Sequence, residues 1–399
     1  MSAPLALLIV STAVVLYILI GYPIILALIP ERPRPSLKDL AHQPSVSLVL
    51  VVYNGAFRIR AKMDSILALD YPKDELEIIV VSDGSSDGTE AIVQEYANRG
   101  VQLIVAPHAG KAAGLNLGIA RASGDILFFT DLRQPLDANA LRHLAANFAD
   151  PAVGAVTGEL RLVRGDNGEQ ADMDLYWRYE LWARRRQSNI DSIFNTTGCI
   201  YALRREFAGP LPKDTLSDDA VLPLRAFFAG YRVIFDPAAV AFDYPAVAGT
   251  EARRRFRNLA GLWQVFVRTP RLFTSNRMGF HFLSHKFGRL VLPWALLIAV
   301  GASLALPSSN WRSILLIAEA VLPALALLDG ILPEAFLLRR LTSPARTFMR
   351  MNVASLRAPS VFFVSPSRLW VPTQVHTPTQ VHTPTQVHTP PQAPSNEGR

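Results

Sequence analysis

The sequence predicts an α/β fold, a mainly parallel sheet, with transmembrane helices on its flanks. Three observations carry this. Short apolar runs rich in Val and Ile alternate with helical patterns between residues 45 and 130, the pattern of a parallel sheet covered on both faces. No charged residue occurs from Met1 through Pro30, and a second uncharged run lies between Arg289 and Arg312.

The first apolar run, Leu5 to Ile29, is long enough to cross a hydrocarbon core of roughly 30 Å. It lacks a basic leading region and exceeds the apolar length of a cleaved signal, so residues 1–30 read as a retained anchor. Arg32, Arg34 and Lys38 follow it, which by the positive-inside rule places the next domain in the cytoplasm. Arg277, Lys286 and Arg289 lead into the second run with the same polarity. A third run, Ile314 to Leu338, contains Glu319, Asp329 and Glu334 and is closed by Arg339 and Arg340. Residues 290–338 therefore read as a transmembrane hairpin, in which Glu319 reaches neighbouring polar groups. Residues 266–289 read as an interfacial, amphipathic connection. Residues 339–371 read as an amphipathic membrane-associated segment with an interfacial helix over 347–364. From Thr373 the chain repeats Gln-Val-His-Thr-Pro-Thr almost verbatim, so residues 372–399 read as a disordered, polyproline-like tail whose repeat units are too short to build a core.

Between the anchors, strands are expected at 45–52, 76–81, 101–105 and 126–130, with helices at 57–69 and 89–99. The chain has 399 residues and a formal net charge of +7, with arginines gathered near the apolar segments. Such a distribution suits an anionic lipid surface and phosphorylated substrates, not nucleic acid. Cys199 is the single cysteine, so intrachain disulfides and cysteine metal clusters are excluded. It reads as a small packing residue. Ligands of parallel sheets gather at the carboxyl ends of strands. Tyr53 and Asn54 end the first strand, Asp83 the second and Asp131 the fourth. Neither G-x-G-x-x-G nor G-x-x-x-x-G-K-[ST] is present, which removes nicotinamide-type and P-loop sites.

Several motifs then fall in one order: Val51-Val52-Tyr53-Asn54-Gly55, Val81-Ser82-Asp83-Gly84-Ser85-Ser86-Asp87-Gly88-Thr89, Gly110-Lys111-Ala112-Ala113-Gly114-Leu115-Asn116, and Phe128-Phe129-Thr130-Asp131-Leu132-Arg133. Asn195 to Arg205, Leu216-Ser217-Asp218-Asp219 and Gly230-Tyr231-Arg232 follow. Over roughly 45–265 the chain resembles the family 2 glycosyltransferases of GT-A fold, in particular the membrane-bound group related to cellulose, chitin and hyaluronan synthases.

The resemblance implies a nucleotide-sugar donor, UDP-linked, held by Tyr53, Asn54, Asp83, Lys111, Asp131 and Arg133. The Asp83 turn also reads as a helix cap, through Asp87 or Thr89. Arg133 stands where the family has the second carboxylate of D-x-D, which with the first holds Mg²⁺ or Mn²⁺. Either Asp131 still recruits the ion with help from elsewhere, or Arg133 supplies positive charge directly to the leaving phosphates. Asp218 and Asp219 match the family's acidic pair, and Asp219 is expected to be the base, because an adjacent carboxylate raises its pKa. Gly198 is expected on the acceptor side, with Arg255 and Phe256. That last pair sits where processive members carry Q-x-x-R-W, but Gln and Trp are missing, and the segment also reads as a basic amphipathic helix.

The expected protein is a multi-pass enzyme of the cell (inner) membrane. It passes a sugar to a lipid-linked or polysaccharide acceptor on the cytoplasmic face. A processive synthase and a catalytically silent, donor-binding scaffold of a polysaccharide-assembly complex are the alternatives.

Overall fold

The computed structural model describes residues 2–31, 36–163, 175–244, 250–274, 276–333 and 338–363. The charged flank at Arg32 and Arg34, Glu334 and the 372–399 repeat lie outside the described residues. In chain order the elements are α1 (Ala3–Leu28), β1 (Val46–Val52), α2 (Ala56–Leu67), β2 (Leu76–Asp83), α3 (Thr89–Gln94), β3 (Val101–Ala106), α4 (Lys111–Arg121), β4 (Ile126–Thr130) and α5 (Ala140–Ala146). They continue with β5 (Val153–Leu162), α6 (Leu175–Ile190), β6 (Ile200–Arg204), α7 (Asp218–Phe228), β7 (Arg232–Asp243), α8 (Thr250–Arg268), α9 (Gly279–Ala305), α10 (Asn310–Leu328) and α11 (Arg339–Arg357).

Seven strands form one sheet in the order β3-β2-β1-β4-β6-β5-β7. β1 pairs in parallel with both β2 and β4, and β2 with β3, as the sequence predicts; β6 runs antiparallel between β4 and β5. Side chains alternate across the pleat and both faces are buried, which explains the near-continuous apolar strands. Leu48 and Leu50 pack with Ile59 and Met63 of α2 on one face. Val49 packs on the other with Leu115 of α4 and Phe227 of α7. The strand order reverses between β1 and β4, which opens a crevice at their carboxyl ends.

Among the described residues, three helices, α1, α9 and α10, are long and apolar enough to cross a membrane. Because α9 begins at Gly279, residues 279–289 of the expected connection are helix continuous with the span. At 27 residues, or about 40 Å at 1.5 Å per residue, α9 is longer than a bilayer core requires. Its first turns instead face α6. Lys286 pairs with Glu180 of α6, His285 Nε2 lies 3.3 Å from the same carboxylate, and Arg184 Nε donates to it at 3.2 Å. Burial alone would push the Glu180 carboxyl up, but Lys286 and His285 hold it well below the usual carboxylate range.

The first span joins this cluster. Tyr22 of α1 accepts from Gln187 Nε2 at 2.8 Å, and the Tyr17 hydroxyl lies 2.6 Å from Ser284 Oγ. Glu319 of α10 accepts from Ser303 of α9 at 2.8 Å, so the expected polar neighbour is present. Asp329, at the end of α10, accepts from Thr342 at 2.8 Å and Arg346 at 3.1 Å, which fastens α11 to the hairpin.

Candidate active site

The turn after β1 and the loop after β2 are laced together at the crevice. Asn54 has φ +48°, a left-handed value that Asn tolerates better than most residues. Its Oδ1 accepts the Ser86 N–H at 2.8 Å, while its own N–H donates to Ser85 Oγ at 3.1 Å. The Asp87 carboxylate takes the N–H groups of Ala56 at 2.9 Å and Thr89 at 3.1 Å, but the residue that caps α3 is Gly88, with no side-chain cap, so neither Asp87 nor Thr89 takes the expected capping position. Tyr53 stacks on His108, ring centroids 4.2 Å apart. Asp83 is buried, and its carboxylate accepts the N–H groups of Ala109 at 2.7 Å and Gly110 at 3.0 Å. Asp83 thus braces the loop that delivers Lys111, the first residue of α4.

Lys111 brings the two halves of the site together. Its Nζ lies 3.0 Å from Asp131 Oδ1, at the end of β4, and 3.2 Å from Asp218 Oδ1, at the start of α7. Burial opposes its charge, but Asp131 and Asp218 win and raise its pKa. Asp218 is buried and also accepts from the Tyr201 hydroxyl at 2.9 Å.

Asp219 differs from its neighbour. Its backbone carbonyl accepts from Thr196 N–H and Oγ1, both at 2.8 Å, yet among the described residues nothing hydrogen-bonds to its carboxylate. Burial and the neighbouring Asp218 push its pKa up to about 7, against the pull of Lys111 and Arg184. Gly198 sits against it: a Cβ added there would lie 3.8 Å from Asp219 Oδ2. The outcome is one carboxylate clamped by an ammonium and one left free near neutrality, the arrangement of a proton acceptor.

Two cations, Arg133 and Arg257, complete the surroundings. Arg133 turns to Asp243 at the end of β7, with Nη2 2.6 Å from Oδ2. Arg255 and Phe256 lie in the first turns of α8, and Phe256 packs against the core. The residue missed in the sequence is Arg257. It is half-buried, its charge interacts with Asp131 and Asp219, and burial lowers its pKa. It forms no hydrogen bond or ion pair among the described residues. The Arg-Arg-Arg-Phe-Arg run was a signal, but the helical register that selects Arg257 depends on Gly261, one turn later. A Cβ at Gly261 would lie 2.2 Å from Ser217 Oγ and 3.2 Å from Leu216 Cβ. Only glycine lets α8 come this close to the segment leading into Asp218. Gly261→Val is expected to destabilise the protein by about 1–3 kcal/mol through overpacking and to weaken donor turnover, as read by thermal unfolding in detergent and a donor-consumption assay.

Residues 47–209 match the family described as Glycosyl transferase family 2. Over those residues, about two fifths of the chain, the sequence has the pattern of the family 2 glycosyltransferases. The probable glycosyltransferase YdaM of Bacillus subtilis (strain 168) is 30% identical over 225 residues, which cover 53% of this chain and 52% of that protein. The Poly-beta-1,6-N-acetyl-D-glucosamine synthase of Staphylococcus aureus (strain COL) is 27% identical over 231 residues, 56% of each. The chain spans about half the length of the curated relatives it matches. Among solved structures, the mannosyltransferase PcManGT from Pyrobaculum calidifontis, in complex with GDP-Man and Mn²⁺, superposes with a TM-score of 0.71 at 26% identity. That match covers 90% of this chain and 98% of the other. The fold is GT-A.

The family 2 domain implies a divalent ion, and the residues present bear on it directly. Among the described residues no three His, Cys, Asp or Glu side chains converge as an all-protein metal site. Asp131 nevertheless offers a carboxylate whose side chain is 38% exposed at the mouth of the crevice. Mg²⁺-type ions are commonly held by one or two carboxylates and the substrate's own phosphates. Asp131 fits that kind of site. Arg133, paired with Asp243, is not turned into the position of a second ligand.

Proposed function

We propose that this protein is an inverting glycosyltransferase that moves a sugar from a nucleoside-diphosphate sugar to a lipid-linked or polysaccharide acceptor at the cytoplasmic face of a membrane. The observation that carries this reading is the asymmetry of the acidic pair: Asp218 bound by Lys111 and Tyr201, Asp219 free with its pKa pushed up to about 7. Asp219 takes the proton of the acceptor hydroxyl as that oxygen attacks the anomeric carbon. The bond from that carbon to the nucleoside diphosphate breaks in the same step, and the configuration inverts. Lys111 and Arg257 face the charge that develops on the leaving diphosphate. Tyr53 and the Asn54 turn form the wall on the nucleoside side, with Asp83 fixing the loop before Lys111. Asp131 would hold Mg²⁺ or Mn²⁺ jointly with the phosphates, where the ion neutralises leaving-group charge.

Two donor nucleotides remain in play. The family resemblance favours UDP, while the similar mannosyltransferase holds GDP-Man. The cytoplasmic orientation draws on sequence alone: Arg32, Arg34 and Lys38 follow the first apolar run, and Arg277, Lys286 and Arg289 precede the second. Location in the cell (inner) membrane and contact with its anionic lipids follow from the same charges. A processive synthase is favoured by the name of the S. aureus relative, and product length separates it from single transfer. Lys111 and Asp219 in working positions weigh against a silent scaffold.

The test uses the full chain purified in detergent with native lipid extract and given GDP-mannose or UDP-N-acetylglucosamine, with Mn²⁺ or chelator. Consumption of one donor, with its sugar recovered in the lipid or polysaccharide fraction, is expected. Both donors remaining intact would sink the reading.

A further inference from the structure

Lys62 takes no part in the chemistry above, yet it is the most deeply buried cation beneath the site. It projects from the middle of α2 under the end of β4 and is 2% exposed. Its Nζ donates to Thr130 Oγ1 at 2.7 Å and to the backbone carbonyl of Gln134 at 2.6 Å. Thr130 Oγ1 passes the connection on, donating to the carbonyl of Cys199 at 2.9 Å. Among the described residues no carboxylate forms an ion pair with Lys62, so its hydrogen-bond acceptors are neutral.

Burying an ammonium on neutral acceptors is costly, and the chain shows that cost: burial pulls the Lys62 pKa down to about 7. An unbranched apolar side chain of similar length would fill the same space without that penalty. What only the ammonium supplies is a pair of bonds, one to each side of the short segment 131–133. That segment carries Asp131. Through Thr130 the same ammonium reaches Cys199, the residue after Gly198, which lies against the Asp219 carboxylate.

We propose that Lys62 is a positioning residue, whose hydrogen bonds hold the Asp131 segment and the Gly198–Cys199 loop in one frame and so set the spacing between the donor-phosphate side and the proton acceptor. The catalytic consequence rests on the glycosyl-transfer reading; the structural one does not. A misplacement of about 1 Å costs on the order of 10²-fold in rate.

The experiment compares full-length wild type with Lys62→Met, and with Lys62→Gln, which keeps one short donor. Three quantities are read: amide hydrogen exchange, thermal unfolding in detergent, and turnover of GDP-mannose and UDP-N-acetylglucosamine. In Lys62→Met, exchange is expected to accelerate together in 130–135 and 197–200 while Tm is unchanged or higher. The kcat for the active donor should fall by roughly 10²-fold, and Lys62→Gln should fall between. Unchanged exchange in either segment would overturn the proposal. So would accelerated exchange throughout the sheet with a lower Tm, because Lys62 would then be a general stabiliser. If wild type consumes neither donor, the glycosyl-transfer reading fails while the exchange pattern still decides the role of Lys62. Should Lys62→Met not fold, the same two-segment exchange is read in Lys62→Gln.

Discussion

Replacing Asp219 with Asn is expected to lower sugar transfer by roughly 10²- to 10⁴-fold while leaving the fold as stable as before, or more so. The amide keeps the size of the side chain and cannot accept the hydroxyl proton. Stability should not fall, because Asp219 adds negative charge beside the buried Asp218 and has no hydrogen bond to its carboxylate to lose. The pH dependence follows from the raised pKa. A carboxyl that titrates at about 7 must be ionised to act as base, so kcat/KM is expected to drop as pH falls through that value. The stability linkage has the opposite sign. A carboxyl whose pKa is higher in the folded than the unfolded state favours folding below its unfolded value, and that contribution is lost as pH rises through about 7. The gain in thermal stability of Asp219→Asn should therefore be larger at pH 8 than at pH 5. A variant that keeps full transfer would remove Asp219 from the base position.

Lys111→Met should produce a different profile, with loss of both donor affinity and stability. One ammonium lies between Asp131 and Asp218. Removing it leaves a buried carboxylate whose remaining partner is the Tyr201 hydroxyl, a defect of about 3 kcal/mol for a broken buried pair. Adding Asp218→Asn should recover much of that stability without restoring donor binding, because the diphosphate still lacks its cation. Thermal unfolding and nucleotide titration of the two single variants and the double variant form the cycle that separates these effects. Additive losses in stability would show that Lys111 and Asp218 are not coupled.

The first four strands are legible in the sequence because each is a buried run of Val, Ile, Leu or Phe bounded by turn residues. The later half is harder to read. β5 is interrupted by Gly154 and Gly158, β7 carries Pro237, and β6 is a short antiparallel strand inside the Asn195 to Arg205 motif. Among site residues, Lys111, Asp131, Asp218 and Asp219 do meet, as their order along the chain suggests. The direction of Arg133 was not legible, since its partner Asp243 lies 110 residues away. Lys62 in a helix reads as an ordinary surface charge until the fold places it under β4. Phe256, expected on the acceptor side, is half-buried and packs against the core cluster.

The polar cluster around Glu180 has a consequence for how such a protein can be handled and how it can evolve. Its partners come from α1, α6 and α9, and the chain from Arg184 runs on through Thr197, whose side chain accepts a 2.8 Å bond, to the loop beside Asp219. The membrane helices are therefore not a tether that an unrelated hydrophobic segment could replace. Cutting the chain after residue 30 would deprive Gln187 and Ser284 of tyrosine hydroxyls deep in the interior, and a substitute helix would need those hydroxyls at the same heights. Anchor and catalyst are exchanged together or not at all.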